Sequence, residues 1–261
     1  MNLDLSGKTA LVCGSTQGLG LASAVELASL GARVVLMARN EEKLKEVKAK
    51  LSVSKNQNHA YLVADFSDVS TVEKAITSFV ASNPVHILVN NTGGPPGGPA
   101  HAASPEAFLS AFNAHLICNH ILAQAVIPSM KQAAYGRIIN VISTSVKQPI
   151  PGLGVSNTIR AAVANWSKTL AGELGGFGIT VNNVLPGLTQ TSRADYVIQK
   201  KAEETGRSAD DVVAGMLREI PAGRMGQPEE FGAAVAFLAS PAAAYINGIN
   251  LPVDGGRTSC L

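Results

Sequence analysis

The stretch "GSTQGLG", Gly14 to Gly20, decides the fold, because it lies directly after an apolar run and directly before a helical pattern. Its three glycines let the backbone turn tightly and approach a ligand closely. The helix that begins there offers free N–H groups and the positive end of its dipole, which together favour a phosphate. Such a turn is typical of a dinucleotide-binding βαβ unit. The residues predicted to bind the dinucleotide here are Gly14, Ser15, Gln17, Gly18, Leu19 and Gly20.

Short β-branched runs alternate with amphipathic patterns on both sides of this turn. The runs lie at 9–14, 33–38, 60–64, 86–90, 137–142 and 179–185, with a last one near 249–253. Near-continuous apolar runs suit parallel strands that helices cover on both faces. No linker interrupts the alternation, so we predict one α/β domain over 1–261. Its doubly wound (Rossmann) sheet should bind ligands at the carboxyl ends of the strands.

Composition excludes several classes of function. Hydrophobic residues make up 46% of the chain and charged residues 15%, with a net charge of +2, so neither nucleic acid nor a membrane surface is expected as a partner. The start of the chain lacks the pattern of a secretory signal, which favours a cytoplasmic location. The three cysteines are scattered without metal-ligand spacing, so no metal site is predicted, and Cys13 is expected to be buried.

The choice of cofactor depends on the end of the second strand. About twenty residues after the glycine turn, an NAD site should carry an acidic residue for the ribose diol. Here the strand ends in Ala38 and Arg39. A cation suits a 2′-phosphate, so the pattern favours NADP(H) over NAD(H). The alternative is that Arg39 is a solvated loop residue.

Four further motifs carry a family resemblance that runs from about residue 5 to 257. They are "NNTG" (90–93), "GRIINVIS" (136–143), "VLPG" (184–187) and "PVDGG" (252–256). With the glycine turn, they make the chain resemble the short-chain dehydrogenase/reductase family, and within it the 3-oxoacyl-[acyl-carrier-protein] reductase-like members. The resemblance implies an oxidoreductase that acts on a carbonyl or alcohol. It also implies a homotetramer or homodimer.

The resemblance further assigns a set of cofactor contacts. Asp65 and Phe66 would flank the adenine, and Asn91 and Gly93 would line the cofactor cleft. Pro186, Gly187 and Thr189 would border the nicotinamide.

The sequence departs from the family in the reacting residues. Ser143 stands at the position of the family's serine, but the tyrosine and lysine positions carry Ser156 and Arg160. Four residues separate these two, so they should share one face of a helix. The asparagine position falls on His115, and Asn113 could take that role only if the helix register slipped by two residues. The catalytic set expected from the sequence is therefore Ser143, Ser156, Arg160 and His115.

These replacements change the chemistry. Ser156 is far less acidic than a phenol, and Arg160 is a poor proton source, although it could bind the nicotinamide ribose, a substrate oxygen or a substrate carboxylate. His115 has a reference pKa of about 6.5, which suits a proton shuttle, but a hydrogen-bonded structural role is the alternative. Lys147 and Tyr196 are further groups that could approach the substrate.

Three hypotheses remain open at this stage. The first is an NADP-dependent oxidoreductase with an atypical active site. The second is an NADP(H)-binding protein with little or no redox turnover, which acts in sensing or assembly. The third is non-redox chemistry, such as dehydration, on the same scaffold.

Overall fold

The computed structural model describes residues 1–260, and its strands form one parallel sheet of seven. The strands are β1 (Thr9–Cys13), β2 (Arg33–Ala38), β3 (Ala60–Val63), β4 (Ile87–Asn90), β5 (Gly136–Val141), β6 (Ile179–Pro186) and β7 (Asn250–Val253). Their order across the sheet is β3-β2-β1-β4-β5-β6-β7. All seven predicted runs are confirmed, and each strand end lies at most about one residue from its prediction.

Helices connect successive strands. They are α1 (Gly18–Ser29), α2 (Glu41–Lys50), α3 (Val69–Val80), α4 (Pro105–Phe112), α5 (Cys118–Gln132), α6 (Gly154–Leu174), α7 (Ser192–Thr205), α8 (Ala209–Leu217) and α9 (Pro228–Ala239). A π-helical segment, Asn113–Ile117, joins α4 to α5. Such wider turns are rare and occur often at functional sites.

The sheet has an apolar core on each face. On one face, Leu27 of α1 and Phe231 of α9 pack with alternate residues of the strands, such as Val12. On the other face, Ile76 of α3 and Leu122 of α5 pack with the intervening strand residues. Because both faces are covered, the strands are apolar throughout, and the doubly wound prediction is confirmed. Cys13 is fully buried, as predicted.

The strand order reverses between β1 and β4, and the crevice of a doubly wound sheet opens at that point. The predicted site residues that follow the carboxyl ends of β1 to β6 are Gly14, Arg39, Asp65, Asn91, Ser143 and Gly187. The fold therefore places them along one edge of the sheet.

Four asparagine side chains form a hydrogen-bonded ladder across β4 to β7. The Nδ2 of Asn90 donates to Oδ1 of Asn140 at 2.8 Å, and Nδ2 of Asn140 donates to Oδ1 of Asn183 at 3.1 Å. Asn183 in turn donates to Asn250 at 2.8 Å. Because each amide is both donor and acceptor, the ladder fixes the register of the strands at the end of β5 that precedes Ser143.

None of the helices within residues 1–260 combines the length and the apolar character that crossing a membrane would require.

Candidate active site

The glycine turn after β1 is a tight backbone cradle. Gly14 and Gly18 have φ of +57° and +56°, a conformation that side-chain-bearing residues rarely adopt. A Cβ on Gly14 would lie 2.7 Å from Nδ2 of Asn91. That amide donates to the carbonyls of Cys13 and Gly14 at 3.2 Å, which ties the loop after β4 to the turn.

The first turn of α1 is open to an anion. Its N-cap residue, Gln17, makes no side-chain capping hydrogen bond, so the first backbone N–H groups of the helix are left for a ligand. These groups and the Cβ-free backbone of the turn fit a dinucleotide diphosphate.

Three predicted cofactor residues have side chains that contact the core or a neighbouring strand. Ser15 is fully buried, and its Oγ accepts from the Met37 N–H at 3.0 Å. Leu19 packs against one core and Phe66 lies within the other. These side chains contribute to the packing and hydrogen bonding of the fold, and the cofactor contacts of the three residues stay predictions.

The end of β2 carries an unpaired cation. Arg39 is exposed, and none of the ion pairs within residues 1–260 includes it. Nearby, Oδ1 of Asp65 accepts from the N–H and the hydroxyl of Ser67, and these bonds, with Arg39, hold the pKa of Asp65 below its usual range. Ala38 is buried in the core, so the cation at 39 is the group that faces solvent there.

The nicotinamide end predicted from the resemblance is built on the turn after β6. A Cβ on Gly187 would lie 2.5 Å from Cα of Asp254, so this position requires glycine. Thr189 is buried and donates to the Gly187 carbonyl at 3.4 Å. Gly93 is exposed, in the loop after β4.

Ser143 follows β5 and is half-buried. Its Oγ accepts from the Ser145 N–H at 3.1 Å, so the hydroxyl hydrogen is left to donate to another group. The backbone contact that a strand-end serine commonly makes is therefore present, and it orients the hydroxyl without consuming its proton.

Ser156 and Arg160 lie on α6, as the four-residue spacing predicts. Ser156 is half-buried in the first turn. The Arg160 side chain is 9% exposed, and its Nη1 donates to the Val141 carbonyl at the end of β5 at 2.8 Å. Burial, with a smaller effect of Arg193, lowers the pKa of Arg160 to about 10, so the guanidinium stays charged at neutral pH.

His115 lies in the π-helical segment and is 3% exposed. Burial, followed by the charge of Arg160, lowers its pKa to about 3, although the Gly93 backbone favours the protonated form. The imidazole is therefore neutral at pH 7, which favours the hydrogen-bonded role over the proton shuttle. Asn113 is exposed, so the register slip that would bring it inward does not occur.

A buried neutral histidine makes stability depend on pH. A base whose pKa is lowered by folding loses stability as the pH falls through its unfolded pKa of about 6.5. From the shift of His115 we expect the unfolding free energy to fall by about 2 kcal/mol between about pH 7.5 and pH 5. In His115→Asn, this part of the fall in unfolding free energy should be absent, as measured by urea unfolding at both pH values. Equal losses in the two proteins would contradict the assignment.

The sequence did not indicate Arg193, in the first turn of α7. Its Nη2 donates to the Pro95 carbonyl at 3.3 Å, and its guanidinium lies 5.3 Å from the ring of Tyr196. The only sequence feature that could have indicated Arg193 is its position two residues after Thr191. In the structure, the methyl group of Thr191 lies 3.6 Å from where a Cβ on Gly18 would stand. Arg193 therefore bridges two walls of the cleft.

Two backbone hydrogen bonds tie the loop 93–100 to the start of α6. The Gly98 N–H donates to Gly152 at 2.7 Å, and the Gly154 N–H donates to Gly98 at 2.9 Å. A Cβ on Gly154 would overlap the backbone of Ala100. The loop therefore helps to position the start of α6, the helix that carries Ser156.

A cavity of about 300 Å³ lies beside Thr144, the residue after Ser143. Pro149 and Ile150 line one part of it, and Arg257 and Thr258 near the end of the chain line another. No sequence motif marks Arg257 and Thr258 as neighbours of Thr144.

Comparisons with known proteins agree with this geometry. A family model described as enoyl-(acyl carrier protein) reductase matches residues 14–258. The 3-oxoacyl-[acyl-carrier-protein] reductase FabG of Haemophilus influenzae is 34% identical over 252 residues, which cover 97% of this chain and 98% of that protein.

Two solved structures extend the comparison. L-sorbose reductase from Gluconobacter frateurii, complexed with NADPH and L-sorbose, has a TM-score of 0.93 and 30% identity, with 100% of both chains covered. A gluconate 5-dehydrogenase from Burkholderia cenocepacia, in complex with NADP and tartrate, has a TM-score of 0.88 and 30% identity, with 100% of this chain and 98% of that chain covered.

Proposed function

Since the chain belongs to the short-chain dehydrogenase/reductase family, we propose that it is an NADP-dependent oxidoreductase with an atypical active site. It would transfer a hydride between nicotinamide and a carbonyl or alcohol substrate, with Ser156 and Arg160 in place of the family's tyrosine and lysine. The observation that carries the proposal is the buried Arg160, which is held by the end of β5 beside Ser143.

The residues of this chain fit the roles that such a reaction needs. A bound nicotinamide supplies or accepts the hydride. Ser143 donates a hydrogen bond to the substrate oxygen, because Ser145 already orients its hydroxyl. Arg160 stabilises negative charge near that oxygen, or on a substrate carboxylate, in a site where burial strengthens the interaction.

Neither Ser156 nor His115 replaces the acid. A serine hydroxyl donates a hydrogen bond but releases a proton much less readily than a phenol, and a histidine with a pKa of about 3 carries no acidic proton at pH 7. General acid catalysis contributes about 10²- to 10⁴-fold in rate. We therefore infer slow reduction in which water near Ser156 supplies the proton.

The relatives support a polyhydroxy or acidic substrate. One solved relative binds L-sorbose and another is a gluconate 5-dehydrogenase with tartrate bound. A carboxylate on the substrate would give Arg160 the counter-charge that it lacks within residues 1–260. As in other members of the family, the active form is proposed to be a homotetramer or homodimer.

A second candidate function is NADP(H) binding without turnover. It is favoured by the burial of two site residues, which lowers the pKa of His115 to about 3 and that of Arg160 to about 10, so neither exchanges a proton near neutral pH. NADPH oxidation across a panel of ketoses and oxo acids separates the two. Turnover supports the first candidate, and tight NADPH binding without turnover supports the second.

Cofactor preference tests the role of Arg39. Arg39→Asp should weaken NADPH binding by about tenfold to hundredfold, because a charge-assisted hydrogen bond contributes about 1.5–3 kcal/mol. NADH, which lacks the 2′-phosphate, should bind at least as well as before. Titration calorimetry with both nucleotides measures this, with Arg39→Lys as the charge-retaining control. Equal weakening of both nucleotides by Arg39→Asp would contradict the role.

Ser143 separates catalysis from cofactor binding. Ser143→Ala should lower turnover by about 10²- to 10³-fold, as is typical when one donor to a developing oxyanion is removed. The NADPH dissociation constant should stay within about twofold. Ser143→Thr keeps the hydroxyl and should retain part of the activity. Undiminished turnover in Ser143→Ala would remove this residue from the site.

A further inference from the structure

Two arginines from different helices reach the same place in the cleft. A Cβ built on Gly94 would lie 3.8 Å from Nη2 of Arg193 and 3.9 Å from Nη2 of Arg160. The space over Gly94 is therefore open to a small group and is flanked by two guanidinium edges. Arg193 is exposed on α7, whereas Arg160 is buried on α6.

The charges of this pair are not compensated by the protein. None of the six ion pairs within residues 1–260 includes Arg160 or Arg193. In that part of the chain, the hydrogen bonds of both guanidiniums go to backbone carbonyls, those of Val141 and Pro95. His115, which is neutral, adds no negative charge. Burying a cation without a counter-ion is costly, and a bound anion would offset that cost.

Building on the function proposed above, we propose that Arg160 and Arg193 together bind the carboxylate of a short oxo acid or hydroxy acid. Each guanidinium presents a planar fork of N–H donors, which matches the two oxygens of a carboxylate. Arg193 would exchange its contact with the Pro95 carbonyl for the ligand, so the bound carboxylate would replace that carbonyl as the group that joins α7 to the rest of the cleft.

The position of the pair favours the substrate over the cofactor as the source of the anion. The cofactor diphosphate has its own cradle in the glycine turn and the uncapped start of α1. Arg160 is anchored to the carbonyl of Val141, two residues before Ser143, and it shares a helix face with Ser156. An anion on Arg160 therefore lies beside the residues proposed to contact the reacting carbonyl.

Binding of malonate to the NADPH complex tests this inference without turnover. Malonate should bind the unaltered protein, and Arg193→Met should weaken it by at least about tenfold, because a charge-assisted hydrogen bond is lost. Malonamide, which has the same size but no charge, should show no such difference. Arg207→Met is the matched control, because Arg207 is an exposed arginine just after α7 that bonds only to the Asp211 carbonyl in the described chain.

Three results would overturn the inference. The first is no measurable malonate binding to the unaltered NADPH complex, and the second is equal malonate affinity in the unaltered protein and Arg193→Met. The third is a tenfold or greater loss of NADPH affinity in Arg193→Met, which would assign the anion to the cofactor phosphates. Because Arg193 is exposed, its substitution should leave the fold intact, and Arg160→Met serves as a second variant.

Failure of the proposed function would look different. It would appear as absent NADPH binding or absent hydride transfer in the unaltered protein, whatever residue stands at 193. If malonate binding depends on Arg193 while no substrate is turned over, the anion site stands and the redox proposal fails.

Discussion

Gly20→Ala should abolish measurable NADPH binding at micromolar protein concentrations. A Cβ at this position would overlap the Gly14 carbonyl oxygen and lie 2.7 Å from Nδ2 of Asn91. The glycine turn and the start of α1 would have to separate, which displaces the N–H groups proposed to bind the diphosphate. Overpacking of this kind costs ~1–3 kcal/mol of stability. We expect at least about a hundredfold rise in the NADPH dissociation constant.

Gly172→Ala provides the matched control within a helix. Gly172 lies in α6, is exposed, and a Cβ there meets no atom within 4 Å. Its replacement should stabilise the protein by about 0.5–1 kcal/mol, because alanine loses less backbone entropy than glycine. NADPH titration and thermal unfolding of both variants make the comparison. Normal NADPH affinity in Gly20→Ala would show that the turn is not the diphosphate cradle.

Arg160→Ala should remove the native activity almost completely. The side chain is buried, and each charge-assisted hydrogen bond that it makes to a substrate or ribose contributes about 1.5–3 kcal/mol. Two such bonds correspond to about 10²- to 10⁴-fold in kcat/KM. Arg160→Lys keeps the charge but loses the planar fork, so it should retain an intermediate activity. NADPH oxidation with short oxo acids measures all three proteins.

The double variant Ser156→Tyr with Arg160→Lys asks whether the atypical pair is an adaptation or a decayed site. It places a phenol and an ammonium four residues apart on α6, so it should gain reduction of simple diketones. An adapted enzyme should lose oxo-acid turnover at the same time. Full native turnover in Arg160→Ala would contradict the role given to this residue.

The sheet could be predicted from the sequence because its signal is local. Strands such as those at 33–38 and 179–185 are buried on both faces, so most of their residues are apolar. Within the candidate site, Gly14 was predicted because a tight turn requires glycine, whereas Gly187 was predicted only from the family resemblance.

Other features of the site depend on tertiary contacts that no pattern encodes. The pKa of His115 follows from its burial in a π-helical segment and from Arg160, 45 residues further along the chain. Arg193 bonds a backbone carbonyl 98 residues away in sequence, and a backbone acceptor leaves no trace in residue types. The hydroxyl of Ser15, in the glycine turn, accepts a hydrogen bond from the N–H of Met37, a partner that the sequence pattern does not indicate.

The hydrogen bonds between Gly98 and the residues around Gly152 and Gly154 bear on how this protein could be engineered. The loop 93–100 resembles a specificity loop that could be exchanged between relatives. However, it and the start of α6 form one hydrogen-bonded structural unit. A transplant of the loop alone would leave Gly154 without its neighbour at Ala100 and would tilt Ser156 and Arg160. Segments 93–100 and 150–160 should therefore be recombined between relatives as a single cassette.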